Sequence, residues 1–387
     1  MNLLLFRFAG FQISFSLIFI IFLIFYLIAT VRIKLLGIIF FLSIMIYTLA
    51  NGLAANDFVE FYKSLVLFSI FLLFIVLVNN LDNLNEVNII RSHKFIIFIS
   101  FLAALFLISQ FILLNLFGSY LLTPMLGSFS FVGPGGEIYV PNELAILKRP
   151  NGIFQEPSVA GWYMAFMIAV TSLYPMNFKR KIILMLVFSL ASILTFSLSG
   201  IINTIIIWCV IGYIWSRGFS TFLVSSCSII ILIGIISYTG IGDLIFYRFS
   251  DINTPGTSVY YRLTAPIQLM GESLQKFPFG HALGDIEFIS TRDYMINHDA
   301  GSQTNIDNSF FLIIYYFGIM GLLITLICFL FLANQLLRKQ KVAPLTIALF
   351  LALGQTGALW SPAITLLIGY FLVLSRYFMN NRRPYGN

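Results

Sequence analysis

Long apolar runs recur along almost the whole chain, and short polar segments separate them. Each run is continuous and about 20 residues long, which is the length a helix needs to cross the apolar layer of a bilayer. The runs are too long and too uniform for the alternating strands of a membrane barrel. The pattern therefore predicts eleven membrane-spanning helices, at 11–29, 35–53, 64–81, 95–117, 158–174, 181–197, 200–216, 219–240, 309–332, 343–358 and 360–378.

The last two runs leave an alternative open. Gly354, Gly357 and Pro362 interrupt them, so they could form a re-entrant hairpin instead of two full spans. The sequence is therefore compatible with ten to twelve membrane-spanning helices. No cleavable signal peptide is expected, because the first run is long and lacks a small-residue cleavage site.

Composition narrows the class of protein. Apolar residue types make up 59% of the 387 residues and charged types 10%, and the mean hydropathy is +0.96. A soluble domain carries about a quarter charged residues, so a soluble enzyme, a disordered chain, a fibrous protein and a disulfide scaffold are excluded. Cys209, Cys227 and Cys328 lie inside apolar runs, and with only three histidines a zinc site is not expected.

Basic residues collect on one side of the predicted helices. With a cytoplasmic C-terminus, 14 of the 22 Lys and Arg residues fall in short cytoplasmic segments, as the positive-inside rule requires. Eleven helices would then leave the N-terminus outside. This distribution explains the net charge of +7 without nucleic acid. The 14 residues are Arg32, Lys34, Arg91, Lys94, Lys179, Arg180, Lys181, Arg217, Arg338, Lys339, Lys341, Arg376, Arg382 and Arg383.

Two long loops fall on the external face in this topology, and loops of such length are usually functional. The first has 40 residues and the second 68. The predicted organisation is helices 1–4 in 1–117, the first loop in 118–157, helices 5–8 in 158–240, the second loop with a surface helix in 241–308, and helices 9–11 with a basic cytoplasmic tail in 309–387.

Part of the second loop has a helical pattern suited to the membrane surface. Thr264 is the expected cap, Pro266 fits a first turn, and Arg262 would stand at the start, at the level of lipid phosphates. The alternative is a solvated loop with local salt bridges, because residues 241–308 contain eight acidic and four basic residues. The apolar stripe is Val259, Tyr260, Leu263, Ile267, Met270 and Leu274.

The clearest local pattern runs from Arg149 to Ser158 and leads directly into a span. Gly152 permits a tight turn, and Pro157 can open the next helix. Arginine offers a planar fork for phosphate oxygens and glutamate can accept a proton, so Arg149 and Glu156 are candidates for chemistry. A capped helix entry, with the two side chains as an ion pair, is the alternative.

This segment resembles the corresponding stretch of the Wzy-type O-antigen polymerases and, more distantly, of the O-antigen ligases. The resemblance extends from about residue 100 to the C-terminus, and it depends on the order and spacing of several short motifs. They are the Arg-x-Asn-Gly-x-Phe-x-Glu-Pro-Ser stretch at 149–158, Ser197 to Gly200, Arg248-Phe249, Ser258 to Arg262, Pro278-x-Gly280, and Asp307-Asn308-Ser309 with Gly318 and Gly321.

The resemblance implies an all-α, GT-C-like glycosyltransferase of the bacterial inner membrane, active on its periplasmic face. Its substrate would be an oligosaccharide linked to undecaprenyl diphosphate, and it would use no cofactor, metal or nucleotide sugar. The growing glycan would move from its lipid diphosphate to the non-reducing end of a new lipid-linked unit. A chain-length regulator and the flippase of the same pathway are the implied protein partners, together with membrane lipid.

Within this chemistry, arginines would stabilise the leaving diphosphate and a carboxylate would receive the acceptor's proton. Arg149 and Arg262 are predicted to bind the diphosphate, and Glu156 is predicted as the base, with Asp307 and Asp251 as alternatives. The residues predicted to contact diphosphate or sugar are Arg248, Arg292, Asn151, Tyr260, Tyr261 and Asn308.

Three other functions compete with this prediction. The ligases carry a histidine near the end of the second loop, where this chain has Asp307-Asn308 and the nearest histidine is His298, which favours polymerase over ligase. A flippase should show internal repeats and ionisable residues within its helices, whereas this sequence shows no repeat and its predicted helices are almost free of charged residues. A structural subunit would not need such long loops. His281 and His298 are predicted to be plain polar residues, and His93 to face lipid headgroups.

Overall fold

The computed structural model describes residues 4–8, 11–31, 33–53, 55–81, 86–117, 143–144, 147–148, 150–154, 156–215, 258–296, 306–357 and 359–380. These residues are predominantly helical, with two short antiparallel hairpins, β1–β2 and β3–β4. The elements are β1 (Leu4–Phe8), β2 (Phe11–Ser14), α1 (Phe15–Thr30), α2 (Leu35–Gly52), α3 (Phe58–Asn79), α4 (Glu86–Leu116), β3 (Glu143–Leu144), β4 (Leu147–Lys148), α5 (Pro157–Leu173), α6 (Phe178–Leu194), α7 (Leu198–Trp215), α8 (Ser258–Arg262), α9 (Thr264–Lys276), α10 (Glu287–Ser290), a 3-10 turn (Asp293–Met295), α11 (Ser309–Leu337), α12 (Ala343–Leu353) and α13 (Pro362–Asn380).

The predicted all-α polytopic membrane fold is confirmed. Among the described residues, six helices are long and apolar enough to cross a membrane, namely α2, α3, α4, α7, α11 and α13, and three shorter apolar helices correspond to α1, α5 and α12. The predicted helix at 219–240 lies outside the described residues. The first helix begins at Phe15 instead of residue 11, because residues 11–14 form β2 and the Ser14 hydroxyl accepts the Leu17 N–H at 3.2 Å.

Helix α5 lies at the centre of the bundle. From Met164 to Leu173 every side chain is buried, and α5 packs against α4, α6, α7 and α12. A second group of helices consists of α3 with α1, α2 and α13 packed around it. The start of the buried helix α5 is therefore held by packing on several neighbours.

The basic residues gather at one end of the bundle. The Lys34 N–H donates to Asn80 Oδ1 at 3.1 Å, and Arg376 donates to Asn79 Oδ1 at 2.9 Å, which brings the start of α2, the end of α3 and the end of α13 together. The Lys339 ammonium lies 4.6 Å from the ring centre of Tyr213, at the end of α7. We call this the basic end, comprising Lys34, Arg91, Lys94, Lys179, Arg180, Lys181, Arg338, Lys339, Lys341 and Arg376. The opposite end, where α5, α11 and α13 begin, is called the site end.

Helix α11 is broken at Gly318, where φ is 55° and ψ is −133°. The break separates the Ile319 N–H from the Tyr315 carbonyl, which would be partners in an unbroken helix. The segment 278–281 replaces that bond: Ile319 N–H donates to the Pro278 carbonyl at 2.9 Å, and His281 N–H donates to the Tyr315 carbonyl at 3.0 Å. A broken helix is tolerated at membrane depth when other protein groups satisfy the freed backbone in this way.

Helix α12 is too short to cross a bilayer alone. Its 11 residues span about 16 Å at 1.5 Å per residue, about half of the apolar layer. The segment after it packs against the start of α11, where the Ser309 hydroxyl donates to the Thr356 carbonyl at 2.5 Å and Gly357 touches the Ile306 carbonyl. These contacts bring the chain after α12 to the start of α11, and α13 then runs from the site end to Arg376 beside Asn79 and is long enough to cross a membrane.

Two histidine predictions are wrong. His93 does not face headgroups: it is 1% exposed, and its Nε2 lies 3.1 Å from the Val170 carbonyl oxygen because α4 packs directly on α5. His281 is not a plain polar loop residue either. It is 5% exposed, stacks on Tyr315 with ring centres 4.1 Å apart, and contacts the Ser273 hydroxyl through Nε2 at 3.0 Å. His298 lies outside the described residues.

Candidate functional site

The turn that leads into α5 is anchored on α4. Gly152 has a φ of 60°, and its N–H donates to Gln110 Oε1 at 2.7 Å. Gln110 Nε2 lies 3.4 Å from Asn151 Oδ1, and Asn151 Nδ2 donates to the Phe154 carbonyl at 3.0 Å. Gln110 and Asn151 are both buried. The Asn151 side chain therefore shapes the turn, and its predicted contact with sugar stays a prediction.

Glu156 occupies the position just before the first turn of α5. Its backbone is extended, Pro157 follows at the first helical position as predicted, and its side chain makes no capping hydrogen bond to the helix backbone. The carboxylate instead accepts the Ser158 hydroxyl at 2.9 Å, and the residue is exposed. Because it is not used as a cap, this carboxylate is available to act on neighbouring groups at the site end.

Arg262 lies at the junction between α8 and α9, as the pattern of the second loop predicts. Its carbonyl oxygen accepts a hydrogen bond from Asn308 Nδ2 at 3.3 Å. Its Nε is buried and has no hydrogen-bond partner among the described residues. A buried donor without a partner costs free energy, so the guanidinium is ready to receive an acceptor such as a phosphate oxygen.

The Asp307 carboxyl lies within electrostatic range of both the Arg262 guanidinium and the Glu156 carboxylate. Burial raises the pKa of the Asp307 carboxyl above its ordinary value; the Arg262 guanidinium opposes this shift and the Glu156 carboxylate adds to it. Glu156, Arg262 and Asp307 come from three separate parts of the chain, and Glu156 and Arg262 both lie close enough to Asp307 to act on its pKa. We call these three residues the charged triad.

Asn308 fixes the geometry beside the triad. It caps α11, where its Oδ1 accepts the N–H groups of Phe310 at 3.0 Å and Phe311 at 3.5 Å. Its Nδ2 is used by the Arg262 carbonyl, and the residue is 5% exposed. The side chain of Asn308 therefore positions Arg262 and Asp307, and its predicted contact with sugar hydroxyls stays a prediction.

Arg292 forms a salt bridge with Glu272 of α9. Its Nε lies 2.7 Å from Glu272 Oε2, and its guanidinium covers the ring of Phe288 at 4.4 Å. Tyr294 donates to the other Glu272 oxygen at 2.8 Å, and burial together with the Glu272 carboxylate raises the pKa of Tyr294. This network fastens residues 287–296 to α9, so Arg292 has a structural role whether or not it also binds substrate.

The amphipathic helix of the second loop exists, but its buried face differs from the predicted stripe. Leu263 and Ile267 are exposed by 43% and 61%, and Leu263 takes the cap position assigned to Thr264. Helix α9 packs against α11, and the small residues Ala265 and Ser273 lie on the face that is buried by its contacts. The buried face consists of Ala265, Pro266, Leu269, Met270 and Ser273.

The remaining predicted residues divide into two groups. Tyr260 and Tyr261 are each 8% exposed, and the Tyr261 hydroxyl donates to the Ile296 carbonyl at 2.9 Å, so both rings belong to the core near Arg262. Arg149, Arg248 and Asp251 lie outside the described residues, and their roles stay predictions.

Several polar residues near the site were missed by the sequence analysis. Gln110 anchors the turn before α5, and Gln355 Nε2 donates to Asn203 Oδ1 at 2.9 Å beneath the start of α11. Each stands within an apolar run, and an isolated polar residue inside a membrane helix is a recognisable signal of function or of specific packing. Across the described ranges, no three His, Cys, Asp or Glu side chains are grouped to hold a metal ion.

Comparison with known proteins identifies the family of this chain. A protein of Escherichia coli K12 described as "Putative colanic acid polymerase" is 31% identical over 134 residues, which cover 31% of this chain. The match spans 31% of the length of that curated relative. No solved structure gives a significant match. The family model for WcaD colanic acid polymerase matches residues 2–377, nearly the whole chain. The chain therefore belongs to the WcaD colanic acid polymerase family, a group of Wzy-like polysaccharide polymerases.

Proposed function

We propose that this protein is a glycosyltransferase that polymerises lipid-linked repeat units into a surface polysaccharide. The observation that carries the proposal is the charged triad of Glu156, Arg262 and Asp307 at the site end, opposite the basic end. The positive-inside rule assigns the basic end to the cytoplasm, so the triad would face the periplasm and the C-terminus the cytoplasm. Family membership supports the same class of reaction.

The donor would be the growing glycan on undecaprenyl diphosphate, and the acceptor a new lipid-linked unit. A hydroxyl at the non-reducing end of the acceptor attacks the anomeric carbon of the donor's first sugar. The bond between that carbon and the diphosphate oxygen breaks, and undecaprenyl diphosphate leaves with the bonding electrons. The acceptor's proton passes to a carboxylate, so the reaction balances without a metal, a cofactor or a nucleotide sugar.

Arg262 would stabilise the charge that develops on the leaving diphosphate. Its buried Nε lacks a partner in the described part of the chain, so a phosphate oxygen would satisfy it. A pre-placed guanidinium contributes most in a partly dehydrated cleft, where no solvent needs to reorganise. Arg149, next to the anchored turn, and Arg248 are proposed to share the diphosphate. Arg292 would have to exchange Glu272 for substrate in order to take part.

The base would be one member of the carboxylate pair. Asp307 is favoured over Glu156, because burial raises the pKa of Asp307 and so makes it the stronger proton acceptor. Glu156, which is exposed, would orient the acceptor hydroxyl. Its negative charge would also raise the pKa of Asp307 and so make Asp307 a stronger base. A chain-length regulator and a flippase remain the proposed protein partners.

Reconstitution of the purified protein with the lipid diphosphate-linked repeat unit alone, in the presence of EDTA, tests this function. A ladder of products separated by size is expected from the wild type and none from Arg262→Ala. Lys276→Ala is the matched control, since it removes a cation from the same loop outside the triad. Unchanged monomer in the wild type would reject polymerisation; product only after addition of lipid A-core would indicate a ligase, and transbilayer movement without product a flippase.

A further inference from the structure

A cleft opens at the basic end, on the side of the bundle away from the charged triad. It lies between the first half of α4 and the turn that joins α5 to α6, and its volume is about 420 Å³. Its apolar lining includes Ile97, Phe98, Phe101 and Leu184. Nothing in the proposed polymerisation uses this cleft, because the reacting groups stand at the other end of α5.

Two cations line the same cleft, one from each wall. Lys94 projects from α4 and Arg180 from α6, and both are exposed. Neither side chain makes a hydrogen bond or a salt bridge within the described part of the chain. The neighbouring Lys181 differs, since its ammonium donates to the Ser172 carbonyl at 3.0 Å and lies 5.8 Å from the ring centre of Trp215. The cleft is therefore amphiphilic, because two exposed cations and several apolar side chains line it together.

We propose that this cleft binds an anionic phospholipid of the leaflet at the basic end. The headgroup phosphate would lie between Lys94 and Arg180, and one acyl chain would follow Ile97, Phe98 and Leu184. Charge complementarity selects this occupant, because basic pockets between membrane helices bind anionic headgroups and a zwitterionic lipid would leave the two cations uncompensated. Arginine adds a planar fork that matches phosphate oxygens.

The bound lipid would join two walls of the core. The cleft is lined by Tyr174, whose ring centre lies 5.0 Å from that of His93, and by residues of the turn from Pro175 to Asn177. A lipid held there would contact both α4 and α6, which also pack directly against each other. Its loss is expected to loosen the central bundle without touching Glu156, Arg262 or Asp307.

Native mass spectrometry of the full-length protein, released from detergent with equimolar dioleoyl phosphatidylglycerol and dioleoyl phosphatidylcholine, tests the proposal. The wild type should retain phosphatidylglycerol preferentially and show a higher thermal midpoint with it. Each basic side chain near an anionic headgroup contributes roughly fivefold in affinity, so Lys94→Gln with Arg180→Gln should weaken retention roughly 25-fold.

Two further variants separate the cleft from general surface charge. Lys179→Gln with Arg338→Gln removes two exposed cations from the same end outside the cleft and should retain phosphatidylglycerol like the wild type. Leu184→Trp keeps both cations but fills the apolar wall, and should lose the lipid. Equal retention of both lipids by the wild type, or equal loss in the control pair, would overturn the proposal. Displacement of phosphatidylglycerol by undecaprenyl phosphate at a lower concentration would also overturn it, by identifying the carrier lipid as the occupant.

Discussion

The carbonyl oxygen of Arg262 accepts a hydrogen bond from the side chain of Asn308 at 3.3 Å. This bond ties the break between α8 and α9 to the first turn of α11, and Asn308 itself is held as the cap of that helix. Asp307, one residue earlier, is thereby kept within the field of the Arg262 guanidinium. The position of Arg262 relative to Asp307 thus depends on a neutral residue.

Replacing Arg262 should remove most of the polymerising activity. Arg262→Ala is expected to lower turnover by about 100-fold or more, the usual cost of removing a group that stabilises developing charge. Arg262→Lys should recover little of it, because a point charge lacks the planar fork. Product ladders from membranes with matched protein levels measure this. Full activity in Arg262→Lys would exclude arginine–phosphate geometry as the cause.

The two carboxylates should respond differently to neutralisation. Asp307→Asn is expected to lower turnover by about 100-fold or more, as loss of a general base does. Glu156→Gln should retain more activity, and it should lower the pKa of Asp307 because it removes a nearby negative charge. The acidic limb of the pH–rate profile should therefore move to lower pH in Glu156→Gln. The reverse pattern, with Asp307→Asn active and Glu156→Gln inactive, would assign the base to Glu156.

Gln110 should be needed for the shape of the turn before α5. Gln110→Leu leaves the buried Gly152 N–H without its acceptor, at a cost of about 1–3 kcal/mol, and polymer yield should fall while the protein stays in the membrane. Gln110→Glu preserves the acceptor and should be less severe. Ser109→Ala, on the exposed face of the same helix, is the control. Unchanged polymer yield in Gln110→Leu would show that the turn has no role in the site.

His281 should make the fold sensitive to acid. Burial lowers the pKa of His281 to about 4, against an ordinary value of 6.5. A histidine whose folded pKa lies below its unfolded value stabilises the fold fully above pH 6.5, and the benefit is lost as the pH falls towards 4. The loss is on the order of 3 kcal/mol.

Thermal midpoints between pH 4 and 7 measure this, compared with His281→Phe combined with Ser273→Ala. That pair keeps a ring against Tyr315 and leaves no buried hydroxyl without a partner. The variant should lose less stability than the wild type over the same range. Parallel pH curves would contradict the assignment to His281.

The break in α11 should tolerate no side chain at Gly318. Its φ of 55° is strained for other residues, and an added Cβ would overlap the Pro278 carbonyl oxygen. Gly318→Ala is expected to destabilise the protein by about 2 kcal/mol or more. Gly271→Ala is the matched control, because no atom lies within 4 Å of its added Cβ. A similar thermal midpoint for both variants would mean that the break can straighten.

The sequence analysis predicted the features that depend on neighbouring residues. Continuous apolar runs predicted the helices because a membrane helix satisfies its own backbone, and the order Gly152, Glu156, Pro157 predicted a turn and a helix start. It also identified Arg262 at the start of a helix in the second loop. These properties follow from local hydrogen bonding and from residue type, so no knowledge of distant contacts was required.

The tertiary structure alone decided which of these residues meet. Nothing local in the sequence indicates that Arg262 and Glu156 both act on Asp307, that Arg292 forms a salt bridge with Glu272, or that His281 is buried. It also decided that residues 278–281 complete the hydrogen bonding of a broken helix. Burial and charge pairing depend on which distant segments pack together, and packing depends on the whole chain at once. The sequence by itself therefore determined the membrane class, the helices and the candidate chemistry, whereas folding determined the site.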